Sequence, residues 1–181
     1  MLADHTTLTN PHSKEHILLL YDDDYKRNEV VATYINEGLK RNQLCVICSV
    51  YSHGKPNIDL SSKITDYAEN IKKENLLNID LRPFYNSALN GDLTPFEDIK
   101  KQLVNKVKDR EDKHIRLVGD LVGLLFNSTH FDKCINLEEW WQKKPFEGSY
   151  VCPYSTLMLN KHPFNTQKDR VFHTHDKVIL C

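Results

Sequence analysis

The sequence predicts an α/β domain, a three-layer sandwich on a mainly parallel sheet. Three observations carry this prediction. Apolar runs of strand length alternate with stretches whose apolar residues recur at helical spacing. Several runs, Ile17 to Tyr21 first among them, are apolar throughout, as strands buried on both faces require. The 181 residues, 40% of them apolar, suffice for one full core and not comfortably for two. Residues 16–181 are therefore expected to form a single domain, with the polar, aperiodic residues 1–15 as a flexible lead-in.

The first unit is His16 to Gly38. Strand 17–21 runs into a turn at Asp22, Asp23 and Asp24 and then a helix over 25–41, where Val30, Val31, Tyr34 and Ile35 keep helical spacing. A strand feeding a helix usually places the functional turn at the strand's carboxyl end. A phosphate-binding loop there would be glycine-rich and end in Lys-Ser or Lys-Thr. This turn carries three carboxylates instead, and no glycine precedes Gly38. Carboxylates suit the positive end of a helix dipole but repel a triphosphate. The frame is that of a nucleotide-binding opening, and the chemistry is not.

The alternation continues. Leu44 to Val50 is the second strand, followed by a loop through His53, Gly54, Lys55, Pro56 and Asn57 and a helix over 59–73. Leu77, Ile79 and Leu81 alternate with polar residues in strand 76–82. Two prolines and a glycine mark 82–95 as a surface loop, and Thr94-Pro95 opens a helix over 95–110. Ile115 to Leu121 is the fourth strand. Phe131 to Lys143 is a helix anchored by Leu137, Trp140 and Trp141. Tyr150 to Ser155 is the fifth strand, interrupted by Pro153, which places its end at an edge or a bulge. A short helix or extension over 156–161, a helix near 165–173 and a last strand, Lys177 to Leu180, complete the order.

Composition removes several classes of function. With 24 basic and 25 acidic residues there is no electrostatic footprint for nucleic acid, and Lys72-Lys73 and Lys143-Lys144 read as solvated helix faces. No apolar run approaches the length of a membrane span, and the polar start lacks a signal peptide, so a cytoplasmic location is expected. Five cysteines without a secretory signal suggest free thiols. Cys45 and Cys48 form a C-x-x-C, but on a strand residues three apart point to opposite faces, so they read as two buried strand residues.

In an open parallel sheet, ligands lie beyond the carboxyl ends of the strands. That rule selects Tyr21 with Asp22 to Asp24, Tyr51 to His53, Arg82 to Tyr85, Asp120, and Cys152 to Tyr154. Aromatic, acidic and thiol groups together favour a small uncharged or cationic ligand over a phosphate. Asp120, near the end of a buried strand, is either at the sheet rim or functional. His16 opens the first strand and is assigned to the rim opposite the ligand, a structural position. His173-x-His175 could join Cys152 or Asp120 at a transition metal, but such scattered residues are not a ligand spacing, and neither a metal nor another cofactor is expected. No G-x-S-x-G elbow or legible base for Cys152 is present, so no enzyme activity is expected.

His16-x4-Tyr21 followed by acids, Glu37-Gly38-Leu39, the strand CVICSV, Arg116-x-x-Gly119-Asp120, Cys152-x-Tyr154 and His175 together resemble the MEDS family, sensory domains named for methanogens, methylotrophs and the dichloromethane regulator. The resemblance runs from His16 to the C-terminus. It implies a RecA/KaiC-like fold without a working phosphate loop, and sensing of a small, hydrocarbon-derived molecule beside a kinase or DNA-binding module. It also implies that His16, Tyr21, Asp120, Cys152, Tyr154 and His175 occupy the family's recurrent positions, with Asp120 where a glutamate is more usual. No output module is legible, so a signal is expected to pass to a partner such as a kinase or transcription regulator, or through a homo-oligomer.

The leading expectation is a non-enzymatic small-molecule sensor whose ligand contacts Tyr21, Asp22, Asp120, Cys152 and Tyr154, with His16 and His175 in a structural or ligand role. One alternative is a thiol-based enzyme or redox switch that uses Cys152 with Asp120 and a histidine. The other is a scaffold that acts through oligomer or partner contacts.

Overall fold

The computed structural model describes residues 5–50, 57–143, 145–161 and 166–181. The candidates Tyr51 to His53, the loop through Pro56, Lys144 and the start of the helix near 165 lie outside the described residues. Six strands form one all-parallel sheet: β1 (Glu15–Tyr21), β2 (Leu44–Ser49), β3 (Leu76–Asp80), β4 (Ile115–Gly119), β5 (Gly148–Ser155) and β6 (Lys177–Leu180), in the order β3-β2-β4-β5-β1-β6. β1 and β5 are interior strands buried along nearly their whole length, which accounts for the continuous apolar run Ile17 to Leu20 in β1.

Helices α1 (His5–Thr9), α2 (Asp24–Lys40), α3 (Ile58–Lys63) and α4 (Tyr67–Lys72) serve one face of the sheet. There Ile17, Leu19, Ile47, Val118 and Val151 pack on Val31, Tyr34 and Ile35 of α2. The other face is covered by α5 (Arg82–Asn90), α6 (Thr94–Val107), α7 (Leu121–Asn127), α8 (Phe131–Lys143), α9 (Thr156–Asn160) and α10 (Thr166–His173). On that side Leu18, Val46, Leu117, Tyr150 and Cys152 meet Phe96, Leu125 and Leu137. The result is the expected three-layer sandwich. Cys45 and Cys48 fall in the two different cores, both buried and both free, as strand alternation requires.

Several elements differ from the sequence pattern. Residues 82–90, expected as loop, form α5, with Pro83 in the first turn and Gly91 closing the helix in the left-handed region at φ 75°. The single helix expected over 59–73 is two, broken where Asp66 takes a left-handed conformation at φ 49°. The fourth strand stops at Gly119, and the apolar run after it is α7, buried along most of its length. Part of the expected lead-in is α1, whose Leu8 is buried against α2. Pro153 lies in a central strand, but the β4 ladder ends at Val118–Val151, so beyond that point β5 pairs with β1 alone.

The acidic turn is a helix cap. Asp23 accepts a hydrogen bond from the Lys26 N–H at 3.0 Å, and Asp24 pairs with Arg27 at 2.9 Å. Arg116, on the α2 face of β4, is almost fully buried and donates to the carbonyls of Leu8, Thr9 and Tyr34 and to Gln43 Oε1, at 2.7–2.9 Å. It ties α1 and α2 to the sheet.

A buried carboxylate between two histidines

Apart from Asp22, the ligand candidates Tyr21, Asp120, Cys152, Tyr154, His16 and His175 fall into two neighbouring places. Tyr21 and Asp120 line an open crevice of about 220 Å³ beyond the carboxyl ends of β1, β2 and β4. Asp120 accepts hydrogen bonds from the Ser49 hydroxyl and, at 3.0 Å, from the Val50 N–H. Burial pushes its carboxyl above the usual range despite those donors. The Tyr21 ring is capped by the Arg27 guanidinium at 5.0 Å. Asp22 is exposed and does not line the crevice.

Cys152, Tyr154, His16 and His175 do not line that crevice. They meet on the buried face of the sheet beneath α8 and α10, around a group the sequence pattern did not single out, Glu138. β1 and β5 are parallel neighbours, with His16 opposite Tyr150 and Leu18 opposite Cys152, so His16 and Cys152 point to the same face. His175 arrives on the connection from α10 to β6, which pairs with β1. Glu138 comes down from α8, four residues after the buried Cys134 and three before Trp141. Its side chain has no exposure.

The Glu138 carboxylate lies 3.1 Å from His16 Nε2 and accepts the Tyr154 hydroxyl at 2.6 Å. Cys152 Sγ is 3.7 Å from Glu138 and 3.3 Å from His16 Nε2. His175 Nε2 lies 3.5 Å from Glu138 Oε1 but makes no hydrogen bond. The two imidazoles stand 4.0 Å apart, tilted by 33°. Each is oriented by a backbone carbonyl of one segment: His16 Nδ1 bonds Thr174 O at 2.8 Å, and His175 Nδ1 bonds Val171 O at 2.6 Å.

Electrostatics follow from this packing. Burial acts to lower the pKa of His16, but the hydrogen bond and charge of Glu138 outweigh it and raise the imidazole above its ordinary 6.5. Burial lowers His175 to about 4, only partly opposed by Glu138. Burial alone would raise Glu138, yet the two histidines and Tyr154 hold it below the usual carboxylate range. Burial and the Glu138 charge push the Cys152 thiol well up, the opposite of an activated nucleophile. The metal pairing read from His173-x-His175 does not form. His173 is exposed, bonded to Asp169 O of its own helix, and Asp120 sits in the crevice.

Beside the cluster is a mostly apolar cavity of about 40 Å³, with His16 and Cys152 at one side and Phe96, Ile99, Leu117, Leu137, Trp141 and Tyr150 among its walls. Cys48 borders both this cavity and the crevice. The start of α7 separates them, with Leu121 and Val122 facing the cavity and Gly123 and Leu124 facing the crevice.

An all-parallel α/β domain with an acidic helix cap in place of a phosphate loop, and a histidine–carboxylate–thiol cluster inside one layer, is the class these features define. The family model described as the methanogen/methylotroph, DcmR sensory domain, MEDS, matches residues 15–176, and the chain belongs to that family. No match was found among curated proteins. Among the described residues, no helix is long and apolar enough to cross a membrane.

Proposed function

We propose that this domain is a non-enzymatic sensor of a small, uncharged, largely apolar molecule, held in the cavity between the sheet and α6, α7 and α8. The observation that carries the reading is the cavity itself. It is walled by Phe96, Leu117, Leu137, Trp141 and Tyr150, and its polar edge is formed by His16 and Cys152. Its size corresponds to roughly three water-sized groups, the scale of a one- to three-carbon molecule. Burying a charge there would be costly, which narrows the ligand to uncharged species. Occupancy would press on α7 and α8, and so reach both the crevice and the outer surface where a kinase, a transcription regulator or a second copy could respond. Membership of a sensory family supports the same reading.

Thermal-shift and calorimetric titrations with one- to three-carbon alcohols, ketones and haloalkanes, run beside magnesium–ATP, test it. Saturable binding of an uncharged small molecule without a response to ATP is expected. Tight, magnesium-dependent ATP binding would overturn the reading.

A further inference from the structure

We infer that His16, Glu138, Cys152 and His175 form a buried binding site for one first-row transition-metal dication, zinc foremost. This goes beyond the sensory reading and does not require the cavity to take a ligand.

The donor set comes first. One ligand atom from each residue lies within 4.8 Å of the other three. The close pairs, His16 Nε2 to Glu138 at 3.1 Å, His16 Nε2 to Cys152 Sγ at 3.3 Å, His175 Nε2 to Glu138 at 3.5 Å and Cys152 Sγ to Glu138 at 3.7 Å, approach the edges of a coordination tetrahedron. Metal–ligand distances of 2.0–2.3 Å give edges of about 3.3–3.8 Å. Two imidazoles, a thiolate and a carboxylate are donors for zinc and its neighbours, and not for magnesium or calcium.

The second observation is independent of spacing. The His175 side chain is fully buried, and its Nε2 is aimed at Glu138 without a hydrogen-bond partner. His175 Nδ1 meets Val171 O at 2.6 Å and the Thr174 hydroxyl, itself donating to Val171 O, at 3.2 Å; a carbonyl can only accept, so the proton sits on Nδ1 and Nε2 presents a lone pair to a carboxylate oxygen. Acceptor facing acceptor in a dry interior is unfavourable unless a proton or a metal cation lies between them, and the site supplies further donors for the metal. His16 is oriented the same way, with Nδ1 on Thr174 O and Nε2 inward. Backbone carbonyls that fix the outer nitrogen are the usual support of metal-ligating histidines. Tyr154 adds a further support by donating to Glu138 at 2.6 Å, while its oxygen meets the Cys134 thiol at 3.1 Å.

Charge closes the case. A dication with one thiolate and one carboxylate is neutral, which the protein interior tolerates. Loading exchanges proton for metal: Cys152 binds as the thiolate, so its thiol proton leaves to solvent.

The test uses the full chain, expressed or refolded with zinc or cobalt(II) under reducing conditions. Elemental analysis should give about one metal per chain, and the cobalt form should show a thiolate-to-cobalt charge-transfer band with tetrahedral ligand-field bands. Cys152→Ser should abolish the charge-transfer band, and the control Cys181→Ser should retain it. Tyr154→Phe, which leaves all four ligands in place, should weaken cobalt binding by about 10–100-fold. Release of the thiol proton should appear as a buffer-dependent enthalpy. Failure of the folded wild-type chain to take up either metal, or uptake whose spectrum lacks the thiolate band, would overturn the inference. So would stoichiometric uptake that is unchanged in both Cys152→Ser and Tyr154→Phe.

Discussion

The Glu138 carboxylate lies 3.1 Å from His16 Nε2, joining the middle of α8 to the start of the interior strand β1 with neither side chain open to solvent. Removing one member of such a pair leaves an uncompensated charge or dipole in the core, at a cost of roughly 3–5 kcal/mol. Glu138→Ala is therefore expected to lose that much stability in urea unfolding. Glu138→Gln, which still accepts from Tyr154, should lose clearly less. Equal losses in the two variants would contradict the pairing.

His175 sets a pH dependence. Its folded pKa of about 4 lies below the ordinary 6.5, so the unfolded chain takes up a proton that the folded chain refuses between those values. Stability is lost as pH falls from 6.5 towards 4, by roughly 3 kcal/mol from this group. His16 works in the opposite sense. Its raised pKa gives stability that is present below 6.5 and is lost as pH rises through the folded value. In chelator-treated protein, comparing wild type with His175→Gln by urea unfolding at pH 7.5, 6 and 4.5 isolates the His175 contribution. The wild type should lose ground to the variant as pH falls.

Arg116 is a structural staple on the opposite face. Arg116→Met strands the carbonyls of Leu8, Thr9 and Tyr34, which the guanidinium serves at 2.7–2.9 Å. A loss of roughly 2–4 kcal/mol is expected. Amide exchange should rise first in α1, which this side chain docks.

The partition between cavity and crevice depends on close backbone approach. A methyl group at Gly123 would stand 2.4 Å from the Pro153 carbonyl oxygen. Gly123→Ala should cost roughly 1–3 kcal/mol by chemical denaturation, through displacement of α7 from β5.

Where the chain announces its structure, it does so through period. The continuous run at Ile17 to Tyr21 and the alternation at 76–81 needed no tertiary information. α5 was legible in principle, because Pro83 and Gly91 bracket it with the usual asymmetry of helix ends, yet prolines and a glycine also describe a loop. α7 was hidden because it is buried along most of its length and lacks an amphipathic stripe. The site was half legible. Cys152, Tyr154, His16 and His175 are sequence candidates that the fold brings together, but the strand-end rule sent attention to the rim. Their meeting place is the buried face, which depends on the β1–β5 register and the α10–β6 connection. Glu138 beside Glu139 reads as a solvated helix face. Its one signal was position, between Cys134 and Trp141 on the stripe that α8 buries.

The most direct measurement of the sensory account is thermal-shift titration of the best-binding small alcohol, ketone or haloalkane against three chains: wild type, Leu137→Phe and Asp120→Asn. Leu137→Phe fills the cavity, and Asp120→Asn alters only the crevice. The account predicts that Leu137→Phe abolishes the shift and Asp120→Asn leaves it intact. The reverse pattern, binding lost in Asp120→Asn and retained in Leu137→Phe, would contradict it.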